Sequence, residues 1–278
     1  MARPTPTIPA TTPAPGASTP RASVGGAVTW LAVRTYPVLL VLAVWQVVAH
    51  SGAVTAFTLP APRQVWDQAV LGWRSGTLID ATTITLVRIL GSFALALAVG
   101  VPLGLLMGRV RPVRRMARPI VSFFFPTPKV AIYPALVILF GLGTASKVAM
   151  GFAEALFPIL LATTAAASQV EPRMIWSAAG LGTSRPGILL RIVLPAALPA
   201  ILTGARIGLV GAITGVFVAE LIVAADGLGH TMAIGYRTLA TADMYLTVVA
   251  ISAIGFTLDR LILATRARLL RWTPEAER

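Results

Sequence analysis

Long apolar runs separated by short polar intervals make up most of this chain, and their lengths predict helices that cross a membrane. Thr35 to Pro62 contains no Lys, Arg, Asp or Glu, which exceeds the roughly 20 residues a bilayer core requires. A first span is predicted over Val28 to Ala49, with Arg34 snorkelling at one end and Trp45 as an interfacial anchor at the other. Residues 52 to 86 mix Pro60, Pro62, Trp66, Asp67, Trp73, Arg74 and Asp80 and predict an amphipathic segment on the membrane surface. Further spans are predicted over Ile89–Met107, Pro119–Gly141, Lys147–Ala167, Leu198–Val223 and Tyr245–Leu263. The third is interrupted by Pro126, Pro128 and Pro134, breaks that persist where backbone is buried in protein or lines a cavity. It is the candidate lining of a pathway.

Small residues recur at helical spacing in two spans. Gly100, Gly104 and Gly108 form one stripe; Gly204 with Gly208, and Gly211 with Gly215, form another. Both predict close helix approach. Residues 1–24, rich in Pro, Thr and Ala, lack an apolar core of the secretory type and read as a disordered cytoplasmic tail.

Composition agrees with a polytopic all-α membrane protein. Hydrophobic residues are 56%, charged residues 12%, and mean hydropathy is +0.81, too little polar surface to coat a soluble globule. There are no cysteines, so disulfides and thiol-ligated metals are excluded. His50 and His230 have no metal-ligand spacing, and no cofactor is expected. The net charge of +13 reports topology rather than nucleic acid, because Lys and Arg collect in cytoplasmic loops. Arg109 to Arg118 holds five arginines and no acid and reads as such a loop. Six spans with both termini inside put sixteen of the 23 basic residues on the cytoplasmic side. Arg63, Arg74, Arg88, Lys147 and Arg237 fall outside, and Lys129 and Arg206 fall within spans.

Lys129, Glu154, Arg206 and Glu220 are the ionisable groups expected inside spans. Each costs roughly 2.5–3.5 kcal/mol at a helix centre on insertion scales, so each must face protein or water. Arg206 and Glu220 share a span but lie about 21 Å apart by helical rise and cannot pair. A pairing of Lys129 with Glu154 is open. All four are candidates for pathway or structural roles. No Walker A sequence exists, since Lys129 follows Pro128 and Lys147 follows Ser146. No G-x-S-x-G or H-E-x-x-H occurs either, so an enzyme reading has no residues to rest on.

The interval Ser177 to Pro195 differs from the other connections. Gly180 and Gly182 permit a sharp turn, Pro186 suits the first turn of a helix, and Ile188, Leu189 and Ile192 give an apolar face. The prediction is a helix–Gly turn–helix knob at the cytoplasmic membrane face. Gly182, Ile192, Leu194 and Pro195 match the G-x9-I-x-L-P half of the loop found in inner-membrane permease subunits of bacterial ABC importers. Trp176-Ser177-Ala178 stands where that family has Glu-Ala-Ala. Leu59-Pro-Ala-Pro62, Phe140-Gly-Leu-Gly143 with Ala145-Ser-Lys147, Leu194-Pro-Ala-Ala-Leu-Pro199, Val218-Ala-Glu220 and Gly227-Leu-Gly229 resemble the sulfonate/nitrate/taurine branch.

The resemblance implies a type I ABC importer permease fold, with six transmembrane helices and a cytoplasmic coupling helix. It implies two ABC ATPase subunits, a second permease copy (a homodimer) and a periplasmic or lipoprotein solute-binding protein. Trp176, Ser177, Ala178 and Gly182 would contact the ATPase, with Ile192, Leu194 and Pro195 fixing the helix that follows. Such a chain lies in the bacterial inner membrane and carries a small anionic solute of the sulfonate, taurine or nitrate type. Permeases for pyrimidine-type vitamin precursors look similar, and an ion-coupled secondary transporter is the competing class. The expected division is a tail (1–24), the first span with the amphipathic segment (25–86), the permease core (87–272) and a closing tail (273–278).

Overall fold

A computed structural model describes residue 36 and residues 39–55 and 57–271. The predicted tails and residues 28–35, 37 and 38 of the first predicted span, Arg34 among them, lie outside the described residues. The described residues are helical throughout their ordered elements, in the order α1 (Leu39–His50), α2 (Pro62–Ser75), α3 (Thr77–Arg109), α4 (Arg111–Phe124), a 3-10 turn (Lys129–Ile132), α5 (Tyr133–Phe140), α6 (Thr144–Gln169), α7 (Pro172–Gly180), α8 (Arg185–Ile188), a π segment (Leu189–Val193), α9 (Leu194–Ile222), α10 (Leu228–Thr238) and α11 (Thr241–Leu269). Four helices among them are long and apolar enough to cross a membrane: α3, α6, the continuous run Arg185–Ile222, and α11. The pair α4 and Lys129–Phe140 makes a fifth candidate span, bent by 91°.

The core is three helices deep, with α6 in the middle, and the glycine stripes explain why. A Cβ on Gly104 would lie 2.6 Å from Thr163 Cβ, and one on Gly108 would lie 2.5 Å from Ala167 Cβ. Gly100, Gly104 and Gly108 meet Ile159, Thr163 and Ala167 in ascending order, so α3 and α6 run parallel. Gly204, Gly208 and Gly215 meet Ala162, Ile159 and Gly151 in descending order, so α9 is antiparallel to both. Missing side chains let the backbones close in, and contact dispersion replaces the hydrophobic drive absent between lipid-solvated helices. Ile89, Ala96, Ala155, Ile159, Leu209, Ala212 and Val216 fill the seam.

This arrangement gives the bundle two ends. At one end lie the starts of α3 and α6, the close of α9, and α10. At the other lie the ends of α3 and α6, the knob α7–α8, and the start of α9. Two sequence expectations are corrected. The second span begins at Thr77 rather than Ile89, because α2 stops at Gly76, a left-handed C-cap (φ +80°), and α3 starts at once. The arginine-rich interval is not a loop: Val110 alone separates α3 from α4, and Arg114 caps α3 by donating to the carbonyls of Met107 (2.7 Å) and Gly108. Arg88 and Lys147, counted on the outer side from sequence, lie within α3 and α6 and are buried.

The expected amphipathic segment is α2. Val65 is buried, while Trp66 and Trp73, seven residues apart on one face, are exposed. Two contacts bring α1 and the following turn to the start of α11: the Trp45 ring lies 5.7 Å from that of Tyr245, and Tyr245 Oη donates to Thr58 O at 3.3 Å.

Candidate functional site

The knob forms as local chemistry dictates. Helix α7 opens with Pro172 in its first turn and ends on Gly180. Thr183 N–H then bonds Ala178 O at 3.0 Å and Gly182 N–H bonds Ala179 O at 3.0 Å, the paired reversed bonds of a Schellman stop. That motif needs a left-handed residue one position past the cap, and Gly182 has φ +78°. Gly180, given the same role from sequence, is an ordinary helical residue. Ser184 then caps α8, its hydroxyl accepting from Gly187 N–H at 3.3 Å, with Pro186 in the first turn. The helix passes through a π turn, where Leu194 N–H reaches back to Leu189 O, into α9. The wide turn accommodates Pro195, which has no N–H to give the ladder.

One face of the knob is committed to the bundle, and the other is not. Ile175, Ile188, Leu189 and Leu194 pack on a cluster of Leu105, Ala167, Val170, Val193, Ala197 and Ile201. A cleft of about 430 Å³ lies beneath, between Leu106, Val110, Ile175, Pro186 and Leu189. Away from that packing Trp176 is 69% exposed and Leu181 is 87% exposed, and Met174 is exposed as well. Of the residues assigned from sequence, Trp176, Ser177 and Gly182 are on the open face, while Ala178 is buried. Ile192 and Leu194 are half-buried in the helix behind. Leu181 was missed, because nothing in a Gly-flanked leucine marks it as exposed.

At the other end of the bundle a buried polar cluster ties four helices together, α3, α6, α9 and α10. Arg88 Nη1 donates to Glu220 Oε1 at 2.8 Å and Arg88 Nη2 to Asp226 Oδ1 at 2.6 Å. Its Nε and Nη2 also reach Thr144 Oγ1 at 3.3 Å. Glu220 Oε2 accepts from Thr85 Oγ1 at 2.8 Å and from Gly229 N–H at 3.0 Å. Leu228 N–H closes the ring by donating to Thr85 Oγ1 at 2.8 Å. Gly227 (φ +93°) has no room for a side chain, since a Cβ would lie 2.6 Å from the Glu220 carboxylate. Among the described residues no buried side-chain nitrogen or oxygen lacks a partner. Val218-Ala-Glu220 and Gly227-Leu-Gly229, quoted above only for their resemblance, thus form one clasp. Arg88, Thr85 and Asp226 were not legible as its other members.

The remaining candidate charges are paired as well. Arg206 Nε and Nη2 donate to Asp259 at 2.5 and 2.9 Å. Lys129 lies 3.9 Å from Glu154, the cross-helix pairing left open by the sequence. Lys147 donates to the carbonyl of Leu142. No group of His, Cys, Asp and Glu able to hold a metal occurs among the described residues.

A parallel–antiparallel helical core with a helix–turn–helix knob at one end defines a class, and comparison with known proteins identifies it. Residues 100–271 match the family of binding-protein-dependent transport system inner membrane components, and the chain belongs to that family. It is a multi-pass ABC transporter permease. The taurine transport system permease protein TauC of Escherichia coli is 33% identical over 252 residues, covering 89% of this chain and 91% of that protein. The putative aliphatic sulfonates transport permease protein SsuC of Bacillus subtilis is 26% identical, covering 84% of each. The bicarbonate transport system permease protein CmpB of Synechococcus elongatus is 29% identical, covering 83% of this chain and 85% of that one. A chain of the MetNI methionine ABC transporter in an inward-facing conformation superimposes with a TM-score of 0.55 at 22% identity, over 66% of this chain and 94% of its own. That likeness concerns the fold alone.

Proposed function

We propose that this chain is the solute-conducting subunit of an ATP-driven importer for a small organic sulfonate, with taurine as its representative. The observation that carries the solute class is the 33% identity to a taurine transport permease across nearly the whole chain. Two copies form the pathway, two separate ATPase subunits dock on the knobs, and a solute-binding protein meets the opposite face. Both termini are cytoplasmic, so the knob faces the cytoplasm and the clasp faces out. Tail (1–24), first helix with the amphipathic segment (25–86), core (87–272) and closing tail (273–278) divide the chain, although α3 runs across the boundary at 86.

The mechanism follows from rigidity. Trp176, Ser177, Gly182 and Leu181 present an apolar face that water solvates poorly and a groove on an ATPase covers. The helix behind that face continues without a break through Ile192, Leu194 and Pro195 into α9, a run of 38 residues. A displacement of the knob on ATPase closure is therefore transmitted as a tilt of α9, and with it of α6, which is locked to α9 by glycine contacts. Tilting opens one end of the pathway as the other closes. The test is uptake of radiolabelled taurine into proteoliposomes holding the permease, its ATPase and its binding protein. ATP-dependent accumulation is expected. Accumulation driven by an ion gradient without ATP contradicts it.

A further inference from the structure

The three ion pairs within the candidate spans differ in how completely each cation is used. Arg88 is only 2% exposed and has Nε, Nη1 and Nη2 all bonded. Arg206 holds Asp259 with two parallel bonds. Lys129 is different. Its Nζ donates to Phe125 O at 2.9 Å, but Glu154 lies at 3.9 Å, beyond hydrogen-bond reach. An ammonium carries three donors, and the side chains of Lys129 and Glu154 remain 14% and 26% exposed.

The position of this loosely held cation matters as much as its valence. Lys129 follows the break between α4 and the 3-10 turn, where Pro126 and Pro128 stop the helix and the chain bends by 91°. Glu154 and Phe157 lie near the middle of the 26-residue α6, about 15 Å or more from its start by helical rise. The Lys129 ammonium sits 5.7 Å from the centre of the Phe125 ring and 5.3 Å from that of Phe157. The break thus sets one cation with a free donor at mid-depth, between aromatic walls, on the span that bends.

We infer that Lys129 is the anion contact of the pathway, with Glu154 as the counter-charge that holds its place between solutes. This rests on the proposed sulfonate-type solute and names the group that meets it. A tetrahedral sulfonate presents three oxygens to a point charge, and a lysine serves such a group without demanding planar geometry. Glu154 keeps the empty site neutral, which offsets the insertion cost of a lone cation. Its proximity also weakens the hold on the anion, and a conducting site must bind weakly enough to release. Arg88 and Glu220 are sealed in the clasp, and Arg206 is committed to Asp259 by two bonds, with its side chain 49% exposed.

The test uses the assembled transporter in proteoliposomes and radiolabelled taurine. Lys129→Gln is combined with Glu154→Gln, so that no charge is left unpaired in the span, and compared with Lys129→Arg and wild type. The double variant should assemble and hydrolyse ATP in response to loaded binding protein at the wild-type rate. Its taurine uptake should fall about tenfold or more, the worth of a charge-assisted bond, and Lys129→Arg should keep most of it. Undiminished uptake by the double variant overturns the assignment of Lys129. Loss of ATP hydrolysis together with uptake also overturns it, because it makes the pair structural. A wild-type complex that hydrolyses ATP but carries no taurine overturns the solute class instead.

Discussion

The two ends of this bundle handle their difficult side chains in opposite ways. At the clasp end, Arg88, Glu220 and Asp226 carry formal charges, yet Arg88 and Glu220 are sealed and none of their buried side-chain nitrogens and oxygens lacks a partner within the chain. At the knob end, Trp176 and Leu181 carry no charge, yet they stand in the open. The clasp is a structure completed by this chain, and the knob, on the proposed reading, is one left for a second protein to complete.

The clasp should break first and hardest. Arg88→Met leaves the Glu220 carboxylate buried with its strongest partner gone, and about 3–5 kcal/mol of stability should be lost. Thermal unfolding in detergent measures it, and Arg88→Met combined with Glu220→Leu should recover most of the Tm. A smaller loss is expected from Gly104→Leu, which drives a side chain into Thr163 and forces α3 from α6 at about 1–3 kcal/mol, read by the same melt. Arg206→Gln frees Asp259, but that pair is half in the open, with the arginine side chain 49% exposed. Its Tm should fall by less than either. Trp176→Ala should change stability by no more than about 0.5 kcal/mol, while weakening ATPase binding by about 2 kcal/mol, as removal of an aromatic anchor does. A clasp variant that changes only binding, or a knob variant that changes only stability, would blur the distinction.

The same contrast explains what could be read from the chain before its fold was known. The knob was legible because each of its signals is local: a glycine for the left-handed stop, a proline for the first turn, apolar residues at helical spacing. The broken third span was legible for the same reason, through Pro126, Pro128 and Pro134. Glycine stripes announced close packing but not their partner, because α6 receives them with Thr163, Ala167 and Ile159, residues of no distinctive pattern. The clasp was illegible. Arg88 and Glu220 are 132 positions apart, and a rule that counts arginines by side of the membrane says on which side Arg88 lies but not that it is buried. α3 is 33 residues long and takes Arg88 inside because Glu220 and Asp226 neutralise it there.

The knob as a docking surface is the central claim, and co-purification with the cognate ATPase tests it most directly. Wild type is compared with Trp176→Asp and Leu181→Asp, whose exposed positions let the permease fold unchanged, with the detergent melt as control. The account predicts that wild type retains the ATPase and that both variants lose it at an unaltered Tm. An ATPase retained in full by both variants would contradict it.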